Sequence, residues 1–101
     1  MAIRAKSVIF KRDNEYKVYS LVYDTTKTSE PYHLQLFQKA MKEGYEDKDF
    51  LAVGTAMWNP LEIDIYPNLD KKAEAKVKAV IRRQFIKYLS KPVLTKDQHE
   101  R

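Results

Sequence analysis

The chain contains no cysteine and only two glycines, Gly44 and Gly54, among its 101 residues. Without cysteine there is no disulfide framework, no thiol nucleophile and no thiolate-based zinc or iron–sulfur site. Two glycines cannot build a loop that cradles phosphates, and neither a P-loop nor a dinucleotide fingerprint occurs. No apolar run approaches the roughly 18 residues of a membrane span. Met1-Ala2-Ile3-Arg4-Ala5-Lys6 lacks the apolar core of a signal peptide. These absences lead us to expect a cytoplasmic protein, in a cell or in one infected by a phage, with no membrane partner. Histidine is scarce too, with only His33 and His99.

What is present fits one small globular domain. The composition, 44% hydrophobic and 33% charged, excludes a disordered tail. The length allows one modest core and no second. The net charge of +5 is a remainder. Residues 1–23 carry five bases against two acids, residues 24–69 four against eight, and residues 70–101 ten against four. An acidic middle therefore separates two basic ends.

The basic N-terminal end reads as a β-hairpin. Ile3 to Lys11 and Tyr16 to Tyr23 are rich in β-branched and aromatic residues and flank the polar Arg12-Asp13-Asn14-Glu15. With Asp13 and Asn14 as a two-residue turn, Arg4, Lys6, Val8, Phe10, Lys17, Tyr19, Leu21 and Tyr23 share one face. Ile3, Ala5, Ile9, Tyr16, Val18 and Val22 share the other. A three-residue turn would shift this register by one. Both faces are apolar enough to need cover.

Two helices can supply it. Ser29-Glu30-Pro31 resembles a helix start, with Ser29 as N-cap and Pro31 in the first turn. Tyr32 to Glu43 then places Leu36, Phe37, Ala40 and Met41 on one stripe, and Gly44 follows as the C-terminal stop. After the acidic loop Tyr45 to Asp49, two strands, Phe50 to Trp58 and Leu61 to Tyr66, are broken at Asn59-Pro60. The second alternates cleanly, Leu61, Ile63 and Ile65 one way, Glu62, Asp64 and Tyr66 the other. Lys71 to Leu89 forms the longest element, with Asp70 as N-cap and Val77, Val80, Ile81, Phe85, Tyr88 and Leu89 as its apolar stripe. At 1.5 Å per residue it spans about 28 Å. The expected fold is α+β in ββαββα order: a four-stranded, largely antiparallel sheet with two helices packed on it. Residues 1–92 make the domain, and 93–101 read as a flexible tail.

The long helix carries the strongest functional signal. Lys72, Lys76, Arg83 and Lys87 border one side of its apolar stripe; Lys71, Lys78 and Arg82 border the other. Bases four apart repel by a few tenths of a kcal/mol, and a run of phosphates relieves this. Arg4, Lys6 and Lys17 interleave with Phe10, Tyr19 and Tyr23 on the hairpin, a pattern on which single strands stack. The leading expectation is a non-catalytic module that engages nucleic-acid backbone, without sequence specificity, through the C-terminal helix and the hairpin. Such bases also serve simply as a solvated face.

The rival is a protein-binding inhibitor or regulator, for instance a phage-encoded antagonist of a host factor, engaging an acidic partner. The acidic stretch Glu43 to Asp49, Trp58 at a loop tip, and Ile86 beside Ala75 and Ala79 are its contact candidates, and the last seam also suits a homodimer. Catalysis has little support. Glu62 and Asp64 project from one face of a strand at a spacing that can hold a divalent ion, but no converging third acid is evident. No cofactor or metal is expected.

Overall fold

We describe residues 2–90 in a computed structural model. The segment read as a tail, with His99, lies outside them. Strand β1 (Ile3–Arg12) turns at Asp13 and Asn14 into β2 (Glu15–Asp24), and Arg12 pairs with Glu15. Asp13 takes φ of 60°, which its short side chain tolerates and a two-residue hairpin demands. The two-residue register therefore holds, and the hairpin faces are as expected. Helix α1 (His33–Lys42), strand β3 (Phe50–Met57), strand β4 (Glu62–Tyr66) and helix α2 (Lys71–Ser90) complete the ββαββα order. The sheet runs β2-β1-β3-β4 and every pairing is antiparallel.

The two helices cover opposite faces. Under α2 the inner positions of the sheet are small: Ala5, Ser7, Ala52, Gly54 and Ala56. These make a shallow trough in which Ala73, Val77, Ile81 and Phe85 are buried at every fourth residue of the helix. Ile3, Ile9, Val18 and Ile65 close this aliphatic core. Asp70 accepts from the backbone N–H of Ala73 at 2.8 Å, the N-cap expected of it. Leu89, expected in the stripe, is 38% exposed, while the stripe gains Ala73 one turn earlier.

Under α1 the core is aromatic. Phe10 lies at the centre of Tyr19, Phe37, Tyr45 and Phe50, with ring centroids 5.5 to 6.2 Å away. The pairing of β1 with β3 slips between Ile9 and Phe10, leaving Leu51 as the extra residue of a bulge. That slip puts Phe50 opposite Phe10, and both rings face α1.

The start of α1 departs from expectation. The helix begins at His33 with Tyr32 in the N-cap position, and no side chain caps it. Ser29 is not the cap. Glu30 precedes proline, which disfavours helical backbone there, and its carboxylate is tied to Lys6 on β1. The segment is thus held over the sheet before the helix starts. The other end behaves as expected: Gly44 takes φ of 103°. Its N–H donates to Met41 and that of Tyr45 to Ala40, the paired bonds of a Schellman stop.

Candidate nucleic-acid interface

Because side chains alternate along a strand, the hairpin register decides which bases can act with α2. Arg4, Lys6 and Lys17 lie on the α1 side of the sheet, and α2 lies on the other. The two basic elements singled out in the sequence therefore do not meet through these three residues. Each hairpin base also has other company. Lys6 pairs with Glu30, Lys17 sits 5.3 Å from the Tyr19 ring, and Arg4 shares a concavity with Glu62 and Asp64.

One hairpin base overlies a ring that faces the helix. Lys11 lies on the α2 side, its Nζ 5.3 Å from the centre of the Tyr16 ring. Tyr16, Lys76 and Arg83 line a groove of about 460 Å³ between the edge strand β2 and α2, floored by Val18, Val77 and Val80. Just beyond it, α2 reaches the edge of the sheet, where the Gln84 side chain donates to the Val18 carbonyl at 3.4 Å. The sequence signal for this groove was the alternation that sets Lys11 and Tyr16 opposite Phe10 and Lys17. Glu15 also stands at its rim.

The outer side of α2 extends this surface. Lys71, Lys72, Lys76, Arg82, Arg83 and Lys87 are all exposed. The helix has one acid, Glu74, and it pairs with Lys78 one turn on, at 3.4 Å. Among the described residues none of the six exposed bases makes an ion pair. The acidic loop does not serve them. Its Asp49 accepts from Arg12 of β1 at 2.7 Å, and its Glu46 lies 3.9 Å from Lys48 of the same loop. The Arg12 guanidinium and the Glu46 backbone N–H hold the Asp49 carboxyl below its ordinary range.

The remaining candidates have plainer surroundings. Trp58 is half-buried with its ring 5.3 Å from Phe85, filling the end of the aliphatic core. Ile86 is 39% exposed on the outer side of α2. His33 is half-buried, with Nε2 3.5 Å from the Gly54 carbonyl. Among the described residues no three acids or histidines converge as a metal site, Glu62 and Asp64 included, and no helix is long and apolar enough to cross a membrane.

A second surface was not anticipated. Leu34, Phe37 and Met41 line an open groove of about 740 Å³ on the outer flank of α1, edged by Lys39 and Lys42. Leu34 is 62% exposed there. Its signal was the i, i+3, i+7 spacing of these three residues, which lies beside the buried row of Leu36 and Ala40. No family model, curated protein or solved structure gives a significant match to the chain.

Proposed function

We propose that the protein binds nucleic-acid backbone, without sequence preference, through the outer side of α2 and the adjoining edge of the hairpin. The observation that carries this reading is the ridge of four exposed bases on α2, Lys72, Lys76, Arg83 and Lys87, which make no ion pair among the described residues, with Lys11 over Tyr16 nearby. Lys72, Lys76, Arg83 and Lys87 contact phosphates; Tyr16 offers an aromatic face at the groove for an unstacked base. Arg4, Lys6 and Lys17 have no part in it, since they lie on the opposite face of the sheet.

The test is fluorescence anisotropy of labelled single strands and duplexes against salt concentration. Replacing Lys72 and Lys87 by glutamine weakens binding alike for all sequences and flattens the salt slope by about two. Unchanged affinity in that double variant contradicts the proposal.

The groove on α1 favours a second reading, a protein-binding inhibitor or regulator. Leu34, Phe37 and Met41 are spaced to receive apolar side chains of a partner, and Lys39 and Lys42 steer an acidic one. Capture of a partner that survives nuclease treatment and is lost in Leu34→Asp supports this reading. Retained capture in Leu34→Asp removes it.

A further inference from the structure

Helix α1 covers only half of its side of the sheet. Strand pairing lays two rows across the uncovered half: Tyr23–Arg4–Met57–Glu62 and, next to it, Leu21–Lys6–Thr55–Asp64. All of these but Leu21 line a concavity enclosing about 110 Å³, rimmed by Glu30 of the β2–α1 connection. It is a polar floor in a place where a small domain ordinarily buries apolar area.

Its charges are arranged by sign. Arg4 and Lys6 stand on β1, and Glu62 and Asp64 stand on β4, with β3 between them. Strands lie 4.7–4.9 Å apart, so the two signs rise from backbones about 10 Å apart. Lys6 is taken by Glu30. Among the described residues Arg4, Glu62 and Asp64 make no ion pair. They face one another across Met57 and Thr55 without meeting.

A second feature points into the same concavity. Tyr23 is only 6% exposed, yet its side chain lines the basin and the cleft beneath the connection. It shares both with Arg4 and Glu30. Its phenol can donate a hydrogen bond to an oxygen entering the basin. Here it stands beside the one guanidinium of the basin that lacks a carboxylate.

We infer that this basin binds a short zwitterionic peptide, its carboxylate on Arg4 and the Tyr23 hydroxyl and its ammonium on Glu62 and Asp64. Neither sign alone suits the site. A simple anion meets three acids around Arg4 and Lys6, and a simple cation meets the two bases. A ligand with both charges satisfies each end. Three extended residues span about 10 Å, the separation of the two ends, and a peptide group in the middle lies over the Thr55 hydroxyl. The site shares no residue with the α2 surface, so it stands whether or not that surface binds nucleic acid.

The experiment is a titration of the full chain with triglycine, followed by amide chemical shifts, alongside N-acetyl-triglycine and triglycine amide. Triglycine in the millimolar range shifts the amides of Arg4, Lys6, Thr55 and Asp64, and each blocked peptide binds at least about fivefold more weakly. Tyr23→Phe, which keeps the ring and the fold, weakens triglycine about threefold or more. Glu62→Gln with Asp64→Asn, both exposed, abolishes the advantage of triglycine over its acetylated form. Equal binding of all three peptides, shifts confined to other parts of the chain, or no shifts overturns the inference.

Discussion

The two faces of this sheet are built on different principles. Beneath α2, small residues on β1 and β3 form a trough, and a 20-residue helix fills it with one aliphatic row. The inner side of that helix is spent on packing, so its outer side is left to carry charge. Beneath α1, a 10-residue helix stands on a cluster of rings centred on Phe10 and covers only part of the face. There the exposed chemistry lies on the sheet itself, in the polar rows, and on the apolar flank of the helix. The long helix thus presents its exposed charge on its own outer side, and the short one leaves exposed charge on the strands.

Removing the central ring of one core tests that contrast most severely. Phe85→Ala takes a fully buried side chain from under α2 and strips Trp58 of its neighbour. A loss of about 3–5 kcal/mol is expected in urea unfolding. Phe10→Ala should cost a similar amount, since Phe10 is equally buried. A loss below about 1 kcal/mol for either would show that its face is not a packed core.

A smaller effect is expected at the stop of α1. Gly44 holds φ of 103°, and an added Cβ there meets nothing within 4 Å. Gly44→Ala is therefore penalised by backbone conformation alone, about 1–2 kcal/mol. A neutral result would show that the Schellman stop does not fix the end of α1.

The smallest effect separates the faces by pH. Arg12 and Asp49 tie β1 to the loop just before β3. The folded Asp49 carboxyl lies below its ordinary value, so its contribution is present above the ordinary aspartate range. It is lost as pH falls through the depressed folded value. Asp49→Asn should flatten the acid limb of the stability curve and leave the neutral region lower by a constant amount. An acid limb identical to that of the unaltered protein would contradict this linkage.

The architecture was legible from local signals because those signals were strong. Alternation in β4 and the unbroken run after Asp70 each state one structure, and the polar Arg12-Asp13-Asn14-Glu15 states a hairpin, though not its register. The start of α1 was not, because Glu30 is claimed by Lys6 on a strand far away in sequence, and a cap reading sees only neighbours. The bulge at Leu51 escaped for the same reason: it is a property of the pairing with β1.

The candidate interface divides likewise. The basic ridges of α2 follow from helical spacing alone. Their partner on the hairpin depends on which helix lies on which face, and both hairpin faces are apolar enough to be covered. Lys11 and Tyr16, rather than Arg4, Lys6 and Lys17, join α2 because that choice is made by packing.

The central claim is that nucleic-acid backbone is held on the α2 side of the sheet and not on the α1 side. The salt dependence of binding to one labelled strand, measured for two double variants side by side, tests it directly. Lys76→Gln with Arg83→Gln should flatten the slope by about two, while Arg4→Gln with Lys17→Gln leaves it unchanged. An equal flattening in both variants, or a flattening only in the second, would contradict the account.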